Sequence, residues 1–191
     1  MLTRGLKRAK IGILVGTKGR GSNMEAIAQA CLAGDVPAEV RVVVGANPQC
    51  EAIKRATALG LSTHTIQPDD NDLIRALSGC DWVCLAGYLR LLPPTVLERF
   101  PNRVLNIHPS LLPKFGGKGM YGLRVHEAVI AAGEPETGCT VHRVTANYDE
   151  GEIVVQVRCP VFPDDTPQTL AARVLELEHL AYPKALRKVL T

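Results

Sequence analysis

An amide, an imidazole and two prolines lie close together in residues 106–113, which read Asn-Ile-His-Pro-Ser-Leu-Leu-Pro. If residues 104–108 form a β-strand, Asn106 and His108 are two positions apart and project from the same face. An Asn N–H can stabilise the oxyanion of a tetrahedral intermediate, and a His can move protons near neutral pH. The pair therefore predicts acyl chemistry, for which His108 lacks only an orienting carboxylate.

A glycine-rich loop, residues 16–23, joins an apolar run to a helical pattern. Glycines there let backbone N–H groups face an anion at the positive end of the helix. A triphosphate-binding loop requires Lys after its second glycine, where Ser22 stands, and a dinucleotide site requires a third glycine, where Met24 stands. The remaining interpretation is a monophosphate or similar anion held by Gly21, Ser22 and Asn23, and the alternative is a plain helix cap at Ser22 or Asn23.

The elements that position these groups follow from an alternation of short apolar runs with helical patterns. We expect strands over 10–15, 39–44, 62–66, 81–86, 104–108, 138–144 and 152–158. We expect helices over 23–33, 50–59, 70–77, 124–132 and 166–189. Such a pattern predicts a single-domain α/β fold with a mostly parallel twisted sheet, helices on both faces and an antiparallel addition in the C-terminal part. Ligands in such sheets bind beyond the carboxyl ends of the strands.

Composition excludes several classes of function. The chain has 191 residues, 46% hydrophobic and 21% charged, as expected for one soluble globular domain. A net charge of +3 is too slight for a duplex-DNA binder, and 4% aromatic residues are too few for base stacking. The basic start is followed only by the short apolar run 11–15, which predicts neither a signal peptide nor a membrane span. We expect a cytoplasmic protein with small-molecule partners and no nucleic acid.

The six cysteines and most of the five histidines carry no predicted chemistry. The cysteines lack paired C-x-x-C spacing, and Cys84 lies inside an apolar run, so we expect buried thiols and no metal site. We expect structural roles for the histidines other than His108. These are His64, His126, His142 and His179.

Four segments together resemble the phosphoribosylglycinamide formyltransferases, a branch of the folate-dependent formyltransferase superfamily. They are residues 21–23, 85–92, 106–113 and 149–151. The Asn-x-His-Pro-Ser-Leu-Leu-Pro motif is shared across that superfamily, and the Gly-Ser-Asn loop narrows the resemblance to this branch. The resemblance implies a formyltransferase domain over 10–191, preceded by a flexible basic segment over 1–9.

The resemblance also implies a role for individual residues. Asn106, His108 and Asp149 would be catalytic, although Asp149 alone would be interpreted as a turn residue before a glycine. The substrate phosphate would be bound by Gly21, Ser22 and Asn23, and its ribose hydroxyls by Glu178. The folate site would comprise Leu89, Arg90, Leu91, Leu92, Asn106, Thr145, Ala146, Asn147, Tyr148 and Asp149.

The implied reaction is direct formyl transfer from 10-formyltetrahydrofolate, as co-substrate, to the glycyl amine of phosphoribosylglycinamide in purine biosynthesis. Asn106 and a protonated His108 would stabilise the oxyanion, and a proton would be relayed to the departing folate nitrogen. Asp149 would pair with His108 and raise its pKa. No metal is required, and a homodimer is compatible with the resemblance.

Two segments depart from the family pattern. Residues 68–79 are shorter than in many relatives, so a folate-contacting Arg expected there stays unassigned. Residues 116–122 form a longer glycine-rich loop, in which Lys118 or Tyr121 would either reach the site or only cover it.

Three other functions compete with this interpretation. Formylation of initiator methionyl-tRNA uses the same motif with an added C-terminal barrel, and hydrolysis of formyltetrahydrofolate uses the same trio with an added N-terminal domain. From the length of 191 residues we expect neither added domain. The third alternative is a phosphate-ligand binding module in which His108 is inert.

Overall fold

The computed structural model describes residues 8–67 and 70–191. Within these residues, seven strands form one sheet. The strands are β1 (Ala9–Val15), β2 (Ala38–Gly45), β3 (Thr63–Thr65), β4 (Trp82–Ala86), β5 (Val104–His108), β6 (Glu136–Arg143) and β7 (Ile153–Pro160). The helices are α1 (Ser22–Ala33), α2 (Glu51–Ala58), α3 (Asp70–Ala76), α4 (Pro94–Arg99), α5 (Leu123–Ala131) and α6 (Pro167–Leu190).

The strand order is β3-β2-β1-β4-β5-β6-β7, and it confirms the predicted fold. The first five strands in that order are parallel, whereas β6 runs antiparallel to both β5 and β7. Consecutive strands spread outward from β1 in one direction and from β4 in the other. The sheet therefore has a topological switch point between β1 and β4, where open α/β sheets bind ligands.

Helices cover both faces of the sheet. Adjacent residues of a central strand point to opposite faces, so neighbours in β1 belong to two separate cores. Ile13 packs with Ile27 of α1 and Leu170 of α6, in a core that also includes residues of α2 and α5. Its neighbour Leu14 packs with Leu73 of α3 and Val96 of α4 in a second core. These two apolar layers hold the strand ends in fixed relative positions.

Two local features differ from the sequence-based expectations. Strand β1 begins at Ala9, inside the segment expected to be flexible, and residues 1–7 of that segment lie outside the described residues. Helix α4 was not predicted, since six residues starting at a proline are too few to show a helical repeat. Pro68 and Asp69, in the segment without an assigned folate contact, also lie outside the described residues.

Five of the six cysteines are buried and Cys80 is half-buried, all as free thiols, in agreement with their expected packing role. Within residues 8–67 and 70–191, no helix combines the length and apolar character needed to cross a membrane. The same residues contain no group of three His, Cys, Asp or Glu side chains arranged to hold a metal ion.

Candidate active site

A cavity of about 570 Å³ lies at the carboxyl ends of β4 and β5 and beside the start of α1, next to the topological switch point. It is bounded on its other sides by the loop that precedes α5 and by one face of α6. Its walls carry seven of the predicted site residues: Asn23, Leu89, Asn106, His108, Tyr148, Asp149 and Glu178. The fold thus brings together groups that are distant in the chain.

Asn106 is held by a histidine from the neighbouring antiparallel strand. The two residues are paired in the register of β5 and β6, and Asn106 Nδ2 lies 3.2 Å from His142 Nε2. The other nitrogen, Nδ1 of His142, lies 2.9 Å from the carbonyl oxygen of Arg143, so Nδ1 carries the proton and Nε2 accepts from the amide. One amide N–H of Asn106 is thereby oriented, and the second N–H remains for a substrate oxygen.

His108 is buried and fixed from both sides. Its Nε2 donates to the carbonyl oxygen of Phe115 at 2.7 Å, and its Nδ1 lies 3.4 Å from Asp149 Oδ2. Burial lowers the pKa of His108, while Asp149 and the Phe115 carbonyl offset part of that effect. The expectation that Asp149 raises this pKa is therefore correct in direction for the pair alone, but the net shift is downward because desolvation of the ring is larger.

Asp149 reaches the two histidines from a turn in an unusual backbone conformation. Its φ is +57°, a left-handed value that non-glycine residues adopt mainly where surrounding contacts enforce it. Oδ2 accepts from the N–H of Gly117 at 2.9 Å, and Oδ1 lies 3.5 Å from His142 Nε2. Burial acts to raise the pKa of Asp149, but His142 and His108, each of which presents an N–H to the carboxylate when its ring is protonated, outweigh it together with the Gly117 N–H and hold this pKa below its usual value.

A glycine allows the loop before α5 to approach this carboxylate closely. A Cβ on Gly116 would come within 2.5 Å of a Leu112 methyl group and 3.2 Å of Asp149 Cβ. The loop is also anchored by Thr140, whose hydroxyl donates to the Ser110 carbonyl at 2.6 Å and accepts from the Leu112 N–H at 3.1 Å. The segment after β5, which contains Pro109 and Pro113, is thus fixed by buried hydrogen bonds.

The glycine loop and α6 meet at one end of the cavity. Gly21 caps α1 with φ +79°, and a Cβ there would lie 2.7 Å from Ala52 Cα. Asn23 Nδ2 donates to Glu178 Oε2 at 2.6 Å. Burial raises the pKa of Glu178 to about 7, and the Asn23 hydrogen bond opposes this shift. Of the predicted phosphate-binding residues, Asn23 lines the cavity, whereas the Ser22 side chain lies in a separate groove beside α1.

Most predicted folate-site residues surround a small recess beside Asn106 and His142. Eight of them line it: Arg90, Leu91, Leu92, Asn106, Thr145, Asn147, Tyr148 and Asp149. Leu89 faces the main cavity instead, and Ala146 lines neither space. The recess has a volume of about 40 Å³, far below the size of typical ligand pockets, so residues 145–149 lie close against the strand ends.

Two histidines assigned structural roles from the sequence lie in the site. His142 contacts Asn106 and Asp149 as described, and the predicted strand over 138–144 was the only signal that placed it beside β5. His126 of α5 is 4% exposed and lines the cavity, and its Nδ1 has no hydrogen-bond partner among the described residues. Burial, and to a lesser extent the charge of His108, lowers the pKa of His126 to about 4.

Known proteins resemble the chain over most of its length. Phosphoribosylglycinamide formyltransferase of Escherichia coli is 36% identical over 183 residues, which are 91% of this chain and 84% of that protein. The chloroplastic enzyme of the same name from Arabidopsis thaliana is 40% identical over 92% of this chain, which spans only 63% of that relative's length. The crystal structure of phosphoribosylglycinamide formyltransferase from Brucella melitensis matches with a TM-score of 0.86 and 40% identity, over 96% of both chains.

A family model described as formyl transferase matches residues 10–186, which include the glycine loop, both strands of the Asn106–His142 pair, and Asp149. This match and the 36% identical Escherichia coli relative agree with the resemblance drawn from the sequence motifs. The chain belongs to the formyl transferase family.

Proposed function

We propose that this protein transfers the formyl group of 10-formyltetrahydrofolate to the glycyl amine of phosphoribosylglycinamide, a step of purine biosynthesis. The observation that carries the proposal is the meeting of Asn106, His108 and Asp149 in one cavity, between the start of α1, where we expect the phosphate, and the predicted folate recess. The names of the similar proteins support the same reaction.

The proposed chemistry begins with attack of the uncharged glycyl amine on the formyl carbon. A carbon–nitrogen bond forms and the carbonyl oxygen becomes an oxyanion, to which the free N–H of Asn106 donates. The proton that the amine nitrogen must lose passes by way of the Asp149 carboxylate, which lines the cavity, to His108 Nδ1, which faces that carboxylate. The same proton then passes to N10 of the folate, the bond between N10 and the formyl carbon breaks, and the products are the N-formyl compound and tetrahydrofolate.

The electrostatics of the trio suit a group that first accepts and then donates a proton. The Phe115 carbonyl holds the His108 proton on Nε2, which leaves a lone pair on Nδ1. The lowered pKa of His108 favours the unprotonated form of that nitrogen. When Nδ1 takes up a proton, the new N–H faces the Asp149 carboxylate, which stabilises the imidazolium until the leaving group needs the proton.

The acceptor is proposed to bind along the line from α1 to His108. Its phosphate would lie at the backbone N–H groups of Gly21, Ser22 and Asn23, which have no partner inside α1. Its ribose hydroxyls would bind Glu178, the buried carboxylate on the adjoining face of α6. This orientation leaves the glycyl amine pointing toward Asn106 and His108.

The test is an assay of formyl transfer with purified protein, 10-formyltetrahydrofolate and phosphoribosylglycinamide, in which tetrahydrofolate formation is followed spectroscopically. We expect donor consumption that requires the amine substrate and yields its N-formyl product. Donor loss without the amine would instead indicate a hydrolase, and binding of both ligands without reaction would indicate a non-catalytic module. His108→Ala is the matched control, and we expect it to remove at least about 99% of the turnover.

A further inference from the structure

Two basic side chains in the cavity wall have no acidic partner. Neither Lys118 nor Arg124 makes a side-chain hydrogen bond or ion pair with any described residue, and the guanidinium carbon of Arg124 lies 5.1 Å from the ring centroid of Tyr121. Lys114 of the same loop, by contrast, lies outside the cavity and pairs with Glu134 at 2.8 Å. Unpaired cations facing a cavity are free to bind an anionic ligand.

The remaining walls supply little positive charge. Lys118 and Arg124 are the only Lys or Arg side chains among the described residues that line this cavity. The opposing face of α6 presents Ala171 and Leu175, which offer no side-chain hydrogen bond, followed by the acidic Glu178. The start of α1 contributes roughly half an elementary charge.

A phosphate monoester carries about −1.5 to −2 charge at neutral pH. If it binds at the start of α1, it lies in a cavity that already holds two carboxyl groups, those of Asp149 and Glu178. The helix start alone leaves most of that charge uncompensated, and burying uncompensated charge is costly. Lys18 and Arg20 of the glycine loop are exposed and do not line this cavity, so the additional cations must come from the loop that carries Lys118 and from the start of α5.

The backbone around Lys118 has room to bring its side chain to a ligand. Gly117 and Gly119 flank it with φ of +94° and +88°, and added Cβ atoms at either glycine would meet no other atom within 4 Å. The space on the Cβ side of both glycines is open, so the Lys118 side chain can reorient while the Gly117 N–H stays bonded to Asp149.

We propose that Lys118 and Arg124 form the cationic wall of the phosphate site and determine preference for a phosphorylated acceptor. The identity of the anion as the acceptor's phosphate rests on the function proposed above. The glycine-rich loop is then a binding element rather than only a cover over the cavity.

The test compares Lys118→Met and Arg124→Met with the wild-type protein on two acceptors, phosphoribosylglycinamide and its dephosphorylated riboside. For each variant we expect kcat/KM to fall about tenfold or more with the phosphorylated acceptor and to change less than about twofold with the riboside. The KM of the folate donor should stay unchanged. Lys114→Met removes the same charge from the same loop outside the cavity, and we expect it to behave as the wild type.

Equal losses on both acceptors would overturn the proposal, as would an increase confined to the donor KM, which would assign the cations to the donor's carboxylates.

A binding measurement separates this proposal from the proposed reaction. Calorimetry with ribose 5-phosphate should give a Kd about tenfold weaker in each variant, even if the wild type transfers no formyl group. Unchanged Kd values in both variants would also overturn it. Both side chains are exposed, so thermal unfolding should confirm unaltered folding.

Discussion

Two backbone carbonyls decide which nitrogen of each active-site histidine is free. The Phe115 carbonyl accepts a hydrogen bond from Nε2–H of His108, and the Arg143 carbonyl accepts one from Nδ1–H of His142. The free nitrogen of His108 therefore faces Asp149, while that of His142 faces the Asn106 amide. Two chemically identical side chains consequently have different roles, proton acceptor for His108 and holder of Asn106 for His142.

Replacement of Asp149 by Asn should reduce turnover far more than substrate binding. The amide preserves the size of the side chain and an acceptor for the Gly117 N–H, but it no longer stabilises a protonated His108. We expect kcat to fall about 100-fold or more, with both KM values within about threefold. Because Asp149 acts to raise the pKa of His108, its loss should also move the acid limb of the kcat–pH profile to lower pH.

Glu150→Gln serves as the control, since it removes a charge from the adjacent exposed residue, whose carboxylate accepts a hydrogen bond from Asn147 and from no other side chain among the described residues. We expect its profile to match that of the wild type. An Asp149→Asn enzyme with near wild-type kcat and an unmoved acid limb would remove Asp149 from the mechanism.

His142 should act through Asn106 rather than on the substrate. We expect His142→Leu to lower kcat about tenfold or more, because the Asn106 amide loses the contact that orients it. In an Asn106→Ala background the same substitution should cost less than about threefold. Steady-state kinetics of the four proteins measure this coupling, and urea unfolding checks that each is folded. An equal factor in both backgrounds would mean that His142 acts independently of Asn106.

The residues differ in how far the sequence could predict their roles. Asn106 and His108 are two apart on one strand, so the side-chain period of a strand was enough to bring them to one face. Asp149 entered only through the family resemblance, because its contacts with Gly117 and His108 join two loops without a sequence signal. His142 was interpreted as structural, because its role depends on which residue of β5 it pairs with. The sequence between the two strands does not indicate that register.

At the scale of elements, one buried hydroxyl ties α6 to two central strands, in addition to the apolar core that holds the helix. Tyr182 is fully buried, and its hydroxyl lies 3.0 Å from the carbonyl oxygens of both Leu85 and Leu105. These carbonyls belong to β4 and β5, the two strands that lead into the site. Glu178 lies one helical turn earlier, so the Tyr182 contacts fix the height at which its carboxylate enters the cavity.

Tyr182→Phe should therefore lower the free energy of unfolding by about 1 kcal/mol, the usual value of a lost buried hydrogen bond. The ring still fills its space, so we expect little loss of apolar packing. Urea unfolding measures the change, with Tyr121→Phe as control because the Tyr121 side chain is exposed and its hydroxyl makes no hydrogen bond to a described residue. Equal stability of Tyr182→Phe and wild type would show that these carbonyl contacts contribute nothing.

Most elements were predictable within a residue or two, because their apolar periods and end signals agree. Helix α6 was expected over 166–189 and spans Pro167–Leu190, with Thr166 and Thr169 forming a capping box at its start. Helix α4 was missed because it is only six residues long and its fully buried side chains are limited to Val96 and the flanking Phe100. The sequence also left the strand order undetermined, since every βαβ unit predicts parallel strands but not which neighbours they take.

For the molecule as a whole, the cavity draws on segments far apart in the chain, with the Asn23–Glu178 contact joining residues 155 positions apart. Two of its buried groups have pKa values that are shifted in opposite directions by folding. The pKa of Glu178 is raised from 4.5 to about 7, so between those pH values the folded state keeps a proton that the unfolded state loses. The pKa of His126 is lowered from 6.5 to about 4, so the unfolded state binds a proton that the folded state does not.

These shifts give the free energy of unfolding two opposing slopes over nearly the same pH range. The Glu178 contribution is lost as pH rises from 4.5 toward 7, and the His126 contribution is lost as pH falls from 6.5 toward 4, each by at most about 3 kcal/mol.

Removing one group should expose the slope of the other. Relative to wild type, Glu178→Gln should therefore gain stability as pH rises from 5 to 7, whereas His126→Gln should gain stability as pH falls over that range. Urea unfolding at several pH values measures both trends, and the double variant should show the sum of the two differences. Parallel pH profiles for wild type and either single variant would mean that the corresponding group does not titrate differently in the folded and unfolded states.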